Sequence, residues 1–265
     1  MVRGLYTAAS GALVAQSQID VIANNLANVN TAGFKRSLLQ VQAQPLREIS
    51  RYQTDPGRAP GARVNGVATA ADVGALGNGS QVYDTPAIFE QGAIAATGND
   101  LDVALSGPGF FTIRDGNGAL SYTRDGAFVE DAQGYLTAQN GDRVLERNGQ
   151  PVQLPQQGQV QIARDGTISV NGTPTGQQLG IVEFANTVAL RPQGSQRFVD
   201  TGGATPRAAT NTSALQGSLE KSNADVIGSM LGLITAERWY QANLNVAQSQ
   251  DQLNGFAISA VGKSS

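Results

Sequence analysis

Apolar residues recur at helical spacing near the start of the chain. Two series with a spacing of seven run side by side and merge into one stripe: Leu5, Ala12, Ile19 and Leu26, with Ala8, Ala15, Ile22 and Val29. Gly33 follows a short polar stretch and is a residue type that typically ends a helix. The pattern therefore predicts one long helix over roughly residues 4–30.

The end of the chain has a longer, two-sided helical pattern. Ser222 followed by Asp225 is a weak capping-box start, and no proline occurs from residue 222 to residue 265. One apolar stripe contains Val226, Met230, Leu233, Tyr240, Leu244 and Ala247, and the other contains Trp239, Ala242, Val246, Ser249, Leu253 and Phe256. Because the apolar face is double, we expect this second helix to contact more than one neighbour.

Both predicted helices carry few charges. Asp20 is the only charged residue from 4 to 34, and residues 222–262 contain only Asp225, Glu237, Arg238 and Asp251. An ordinary surface helix has charged residues on its outer face, whereas these two have small and amide side chains there. Other helices can therefore approach closely without removing water from charged groups. The pattern leaves two alternatives open: a helical hairpin packed on its own domain, or helices packed between copies of the chain.

The middle of the chain has the short alternating runs of β-strands. Leu101, Val103 and Leu105 alternate, and Phe110, Phe111 and Ile113 follow. Hairpin turns are predicted where glycine follows Asn or Asp, because glycine accepts a positive φ: Asp115-Gly116-Asn117-Gly118, Asp125-Gly126, Asn140-Gly141, Asn148-Gly149, Asp165-Gly166 and Asn171-Gly172. Asp55-Pro56-Gly57 and Pro60-Gly61 mark a loop in the connector that precedes these strands.

Together these patterns predict an α+β protein with long N- and C-terminal helices, which form a coiled-coil-like core, and a central β-rich domain. We divide the chain into an N-terminal helix (1–35), an extended connector (36–85), the central β-rich domain (86–212) and a C-terminal helix (213–265).

The amino-acid composition excludes most of the usual mechanisms of enzyme catalysis. The chain of 265 residues contains no histidine and no cysteine, so acid–base catalysis by histidine, thiol nucleophiles and zinc or iron–sulfur sites are excluded. Its 18 basic and 21 acidic residues give a net charge of −3, which does not favour nucleic-acid binding. We expect no cofactor, no metal and no small-molecule substrate.

An enzyme would have to use paired carboxylates, as glycosidases do, chosen from Asp100, Asp102, Asp115 and Asp125. Nearly all of these lie beside Gly or Asn and are better interpreted as turn residues. The turn at Asp115 lacks the spaced acidic ligands of a calcium loop, and the chain has no phosphate-binding Gly-Lys-Ser/Thr motif. The sequence therefore predicts that the protein is not an enzyme.

Several motifs are similar to those of a known family. Residues 19–36 read Ile-Asp-Val-Ile-Ala-Asn-Asn-Leu-Ala-Asn-Val-Asn-Thr-Ala-Gly-Phe-Lys-Arg, and further motifs occupy 98–105, 107–111, 122–126 and 216–226. In this order they resemble the axial proteins of the bacterial flagellar basal body and hook. The length and single central domain resemble the rod proteins rather than the longer hook protein, and are most like the distal rod protein, with the proximal rod protein next.

The resemblance implies a structural rod subunit that self-assembles into a helical tube and transmits motor torque to the hook, with the terminal helices at its centre. It implies copies of the chain and neighbouring rod and hook proteins as partners, with the peptidoglycan and outer-membrane rings as further candidates. It also implies a periplasm-spanning location in the basal body and transfer by the flagellar type III export apparatus without a cleaved signal peptide. Leu13 agrees with the last point, because a signal-peptide cleavage after Ala15 would need a small residue there.

The predicted subunit interface combines the two helical stripes with two asparagines whose amides, in this interpretation, fix the register between helices: Leu5, Ala12, Ile19, Ile22, Asn24, Asn25, Leu26, Val29, Val226, Met230, Leu233, Tyr240, Leu244 and Ala247. Asn28 is open to the same role in the register, and the other interpretation of all three asparagines is a solvated face near a helix end. A secreted β-rich adhesin or carbohydrate-binding module is the alternative for the whole chain. It accounts for the middle but leaves both weakly charged ends without a role.

Overall fold

The computed structural model describes residues 2–44, 47–50, 63–64, 67–68, 72–76, 79–155, 158–194 and 196–262. Two helices, α1 (Val2–Ala27) and α2 (Val226–Gly262), flank a β-rich middle, which agrees with the predicted order of elements. The predicted loop at residues 55–61 lies outside the described residues. Neither described helix is long and apolar enough to cross a membrane.

The boundaries of both helices differ slightly from the predicted ones. α1 ends at Ala27 rather than near residue 30, and the bonds that follow are of the tighter i to i−3 kind, from the Val29 N–H to the Leu26 carbonyl at 3.3 Å and from the Thr31 N–H to the Asn28 carbonyl at 3.1 Å. α2 begins after Asp225, whose carboxylate accepts the backbone N–H groups of Ile227 and Gly228 at 3.1 and 3.0 Å. Asp225 is thus the N-cap, whereas the sequence pattern had assigned the start to Ser222.

Twenty-two strands lie within the described residues: β1 Gln40–Ala43, β2 Arg47–Ser50, β3 Arg63–Val64, β4 Val67–Ala68, β5 Asp72–Leu76, β6 Ser80–Asp84, β7 Ile94–Ala96, β8 Val103–Ser106, β9 Phe110–Arg114, β10 Leu120–Thr123, β11 Phe128–Glu130, β12 Leu136–Ala138, β13 Arg143–Val144, β14 Val160–Ile162, β15 Thr167–Val170, β16 Thr173–Gln178, β17 Ile181–Phe184, β18 Leu190–Pro192, β19 Arg197–Asp200, β20 Pro206–Ala208, β21 Ser213–Gln216 and β22 Ser218–Glu220.

The largest sheet is antiparallel and has nine strands in the order β11-β12-β13-β9-β10-β19-β18, with β17 pairing β9 and β20. β14, β15 and β16 form a separate three-stranded sheet. The strands that lead towards α2 pair with strands from the start of the β-rich middle, β21 with β8 and β22 with β7. The chain thus returns to where the middle began before α2 starts.

Strand β9 contributes side chains to two separate apolar cores. Phe111 and Ile113 lie in one core, with Val103, Leu105 and Phe128. Phe110 lies in the other core, with Tyr122, Phe184 and Phe198. Neighbouring side chains of a strand point to opposite faces of the sheet, so the adjacent phenylalanines face opposite sides. Aromatic rings in the second core meet edge to face, as Phe110 and Phe184 do with centroids 5.5 Å apart.

The turn predictions hold with one exception. Glycines 141, 149, 166 and 172 adopt positive φ, and the carboxylate of Asp115 accepts the N–H groups of Asn117 and Ala119 within the β9–β10 turn. Asp125-Gly126 was expected to form a hairpin turn of the same kind, and this was wrong, because no turn is formed there and Gly126 does not have a positive φ. Asp125 is buried, and a Cβ on Gly126 would lie 1.7 Å from the carbonyl oxygen of Val103. The glycine is needed for close approach of two backbones.

Residue contacts divide the chain into two units. The first contains residues 1–20, 39–84 and 231–265, and the second contains residues 21–38 and 85–230. Within the first unit, β1 pairs with β6 in a two-stranded ribbon that exposes Val41, Val82 and Tyr83.

Candidate assembly site

The predicted stripe of α1 has small residues at its most buried positions. Ala8, Ala12 and Ala15 are buried, and Leu5 and Ile19 on the same stripe are half-buried. Tyr6 and Leu13 lie outside the stripe and are 68% and 70% exposed. Alanines at a helix contact allow a neighbouring backbone to come close.

In the first unit, α1 lies against α2 in antiparallel register. A Cβ on Gly4 would lie 3.1 Å from the side chain of Gln250, and a Cβ on Gly11 would lie 2.6 Å from the side chain of Asn243. The positions advance by seven residues on α1 and go back by seven on α2, so the same face of each helix meets its partner every two turns. Ala236, a further seven residues back, is fully buried.

Three members of the first predicted stripe on α2 share the inward face of that helix. Leu233, Tyr240 and Ala247 are half-buried and have helical spacing with Ala236. The other predicted members of this stripe, Val226, Met230 and Leu244, are exposed.

The second stripe of α2 is exposed along its whole length. Trp239 is 57% exposed, Phe256 is 72% exposed, and Ala242, Val246, Ser249 and Leu253 between them are exposed too. Near the start of α2, Ile227, Leu231 and Ile234 extend the apolar surface. Contiguous exposed apolar surface of this kind marks a site of interaction with another protein or a membrane.

The asparagines at the end of α1 bond within the chain. Asn25 is buried, and its amide donates to the carbonyl of Ser37 and accepts from the N–H of Ser37, both at 2.8 Å. Asn24 is exposed, and the remaining predicted interface residues of this turn, Ile22, Leu26 and Val29, are half-buried. Asn25 thus holds the segment after α1 against the helix itself, a role that the sequence analysis did not identify.

A cluster of three buried ions lies in the second unit, and we call it the ionic cluster. Lys35, Arg124 and Glu220 are each at most 2% exposed. The Lys35 Nζ lies 2.6 Å from Glu220 Oε1, and the Arg124 Nη1 lies 3.3 Å from Glu220 Oε2. One carboxylate is thus shared by two cations.

Backbone groups complete the coordination of these ions. The N–H of Gly92 donates to Glu220 Oε1 at 2.8 Å, and the Lys35 ammonium donates to the carbonyl of Glu90 at 2.7 Å. The Arg124 guanidinium lies 4.8 Å from the centre of the Phe110 ring, while its Nε has no hydrogen-bond partner among the described residues. Burial lowers the pKa of Lys35, and the ion pair with Glu220 opposes that shift.

The segment that carries Lys35 is fixed by its backbone as well. Gly33 has a φ of 66°, and its N–H donates to the main-chain carbonyl of Glu220 at 2.7 Å. A Cβ on Gly33 would lie 2.3 Å from the backbone nitrogen of Asp125, so only glycine fits here. The side chain of Asn223 accepts the N–H of Arg36 at 2.7 Å and donates to the carbonyl of Ile88 at 2.8 Å.

Sequence reasoning missed the ionic cluster, although it quoted the motifs that contain all three residues. The signal was present: Lys35 ends a long stretch with one charge, and Glu220 lies just before another weakly charged stretch. The partners are separated by 185 and 96 residues, however, and the spacing in a single sequence does not link positions so far apart.

Three of the four carboxylates considered for catalysis accept hydrogen bonds from nearby residues of their own segment. Asp115 accepts two N–H groups of its turn, Asp102 accepts the amide of Asn99 at 3.0 Å, and Asp125 accepts the N–H of Ala127 at 3.0 Å. Burial raises the pKa of Asp125 to about 6, with the negative charge of Asp102 adding to the shift. No cluster of acidic residues that could hold a metal ion occurs among the residues that the structure describes.

Comparison with known proteins identifies three matching segments. Residues 5–35 match the flagella basal body rod protein family, residues 104–170 match the flagellar hook protein FlgE/F/G D1 domain, and residues 215–260 match the flagellar basal body rod FlgEFG protein C-terminal family. The terminal matches cover most of both helices and the segments that carry Lys35 and Glu220.

Similar proteins align over nearly their whole length. The flagellar basal-body rod protein FlgG of Bacillus subtilis is 36% identical over 96% of this chain and 97% of the relative. FlgG of Agrobacterium fabrum is 36% identical over 95% of this chain and 96% of its own length. The flagellar basal-body rod protein FlgF of Caulobacter vibrioides is 30% identical over 99% of both chains.

Proposed function

The chain belongs to the flagellar basal-body rod protein family, and on this premise we propose that it builds the rod by packing its terminal helices against those of neighbouring copies. It is a structural subunit of the rod in the flagellar basal body and not an enzyme. Its family assembles with copies of itself and with neighbouring rod and hook proteins. The adhesin or carbohydrate-binding alternative gave the terminal helices no role and is replaced by this assignment.

The exposed apolar stripe of α2 carries the proposal. Trp239, Val246 and Leu253 lie along one side of the helix and are at least half exposed. Ordering a helix of this length costs roughly 1–2 kcal/mol of backbone entropy per residue, and burial of its apolar side chains offsets that cost. In the rod, the stripes of neighbouring copies cover one another and bury these side chains. Contacts that repeat head to tail without closing into a ring generate a helical filament.

The antiparallel register of α1 and α2 supports a coiled-coil-like axial core. Contacts at Gly4 and Gly11 recur every seven residues, which is the repeat of such packing. In this proposal the core contains residues 1–35 and 213–265, the connector contains 36–85, and the β-rich domain of 86–212 lies outside the core. The predicted interface residues form the helical contacts of the core, within one subunit for the buried face and between subunits for the exposed one.

We also propose the wider setting that the resemblance to rod proteins implies. The rod is a tube that transmits motor torque to the hook, spans the periplasm and passes the peptidoglycan and outer-membrane rings. The subunit reaches it through the flagellar type III export apparatus without a cleaved signal peptide. Coupling the ordering of the terminal helices to incorporation into the rod limits premature polymerisation before that point.

Sedimentation velocity across a concentration series tests the proposal. The parent chain is expected to form high-mass assemblies as its concentration rises. The double variant Trp239→Gln/Leu253→Gln is expected to remain small, with the thermal unfolding of the β-rich domain unchanged. The matched control is Val129→Gln/Val188→Gln, which replaces two exposed valines of that domain and is expected to assemble as the parent does. A parent that stays monomeric throughout, or a helix variant that assembles normally, would refute the proposal.

A further inference from the structure

The ionic cluster joins three distant parts of the chain in one place. Lys35 follows α1, Arg124 follows β10 and Glu220 ends β22 just before α2. The ion pairs span 185 and 96 residues. The end of one terminal helix and the start of the other are thereby tied to the β-rich middle within the second unit.

The composition of the cluster indicates a role beyond stability. Replacing a buried ion group with apolar residues of similar volume is often neutral or stabilising, so such a group is weak evidence for stability alone. The best supported use of buried polar groups is to specify one arrangement among several apolar alternatives. Here the arrangement specified is the path of the chain at the two helix ends.

Neighbouring hydrogen bonds make the same connection. Gly33 donates to the carbonyl of Glu220, and Asn223 links Arg36 to Ile88. Asn25 holds the last turns of α1 against Ser37, so the helix end is connected to the cluster without a free linker. Any shift of Lys35 would break several of these bonds together.

We propose that Lys35, Arg124 and Glu220 are positioning residues that fix the end of α1 relative to the start of α2. Its consequence for assembly rests on the proposed function, because the two helices can meet neighbouring copies in register only if their bases are fixed. The cluster itself is a property of the single chain.

The shared carboxylate predicts unequal effects of the two isosteric substitutions. Glu220→Gln leaves two buried cations without a counter-charge. Lys35→Met leaves Glu220 with Arg124 and with the N–H of Gly92. Glu220→Gln is therefore expected to disturb the cluster more than Lys35→Met does. If Glu220→Gln fails to fold, Lys35→Met still tests the proposal.

Distance measurements between spin labels test the positioning role directly. The chain has no cysteine, so Asn24→Cys and Ile227→Cys provide two unique sites, both exposed and both in the second unit. In dilute monomer the parent is expected to give one narrow distance distribution, and Lys35→Met a broad one while the β-rich domain stays folded. Glu90→Gln is the matched control, because it removes the exposed ion pair with Arg36 in the same region and should leave the distribution narrow.

Hydrogen exchange supplies the second measurement. The Gly33 amide is expected to exchange about tenfold to a hundredfold faster in Lys35→Met, with amides of β9 unchanged, because only the docked segment opens. An unchanged distance distribution in Lys35→Met and in folded Glu220→Gln would overturn the proposal. Equal acceleration of all amides would also overturn it, since the cluster would then contribute only to overall stability. Both measurements use the monomer, so their results do not depend on whether the chain assembles.

Discussion

The β-rich middle and the C-terminal helix differ in how far the chain buries their apolar side chains. Phe110, Phe111 and Phe128 are fully buried by their own chain, whereas Trp239 and Phe256 of α2 remain largely exposed. Glycines show a related contrast: a Cβ on Gly126 would meet a backbone oxygen at 1.7 Å, but one on Gly11 of α1 would meet only the end of the Asn243 side chain of α2. The middle is packed within its own chain, whereas α2 keeps an exposed apolar stripe that, in the proposed function, neighbouring copies cover.

The largest effect on the middle is expected from Gly126→Ala. The added methyl group would overlap the Val103 carbonyl, and a backbone cannot move aside as a side chain can. The free energy of unfolding is expected to fall by about 3–5 kcal/mol, measured by denaturant unfolding. Gly116→Ala is the control, because no described residue beyond its two chain neighbours has an atom within 4 Å of its Cβ position. Equal stability of the two variants would mean that the close approach is absent in solution.

The strongest effect on assembly is expected from Ile19→Asp. The carboxylate would enter the half-buried stripe of α1, where its desolvation disfavours helix packing. High-mass assemblies should disappear in sedimentation and electron microscopy, while the thermal unfolding of the β-rich domain is unchanged. Val188→Asp places the same charge at an exposed site of that domain and should assemble normally. Normal polymerisation of Ile19→Asp would show that this stripe is not part of the contact.

A smaller effect, on pH dependence, is expected at Asp125. Its pKa is raised from 3.8 to about 6, so the folded state holds the proton more tightly than the unfolded state. The stability from this group is therefore greatest below pH about 4 and declines as pH rises through about 6, by about 3 kcal/mol in all. Asp125→Asn should remove this decline in unfolding experiments between pH 4 and 7, whereas Asp115→Asn should keep it. A parent whose stability rises over that range as steeply as Asp125→Asn would contradict the shift.

The smallest effect is expected from Gly11→Ala. Alanine favours the helix by about 1 kcal/mol over glycine, and its methyl group requires only a small movement of the Asn243 side chain. The helix content by circular dichroism should stay equal or rise slightly, and assembly should be retained. Gly255→Ala on α2 gives the propensity effect alone, because its added methyl group would meet no described residue outside its own stretch of helix within 4 Å. A large loss at Gly11 only would show that the helices are packed too tightly for this movement.

The sequence predicted what is local and periodic. The stripe containing Ala8, Ala12 and Ala15 follows from helical spacing, and the Asp115 turn follows from the conformational preferences of Asp and Gly. The bond between Lys35 and Glu220 could not be predicted from the sequence, because it depends on the fold of the chain between two residues that are 185 positions apart. Asp125-Gly126 was misassigned for a related reason: the dipeptide has turn chemistry, but the tertiary packing buries it.

The adjacent phenylalanines of β9 also constrain how this family can change in length. Inserting or deleting one residue within Phe110–Arg114 would send each ring to the opposite face and exchange the contents of the two cores at once. The turn at residues 115–119 lies beyond the paired residues of the hairpin, so added residues there leave the pairing of Thr112 with Tyr122 intact. Natural length variation among relatives should therefore accumulate in such turns and spare this strand.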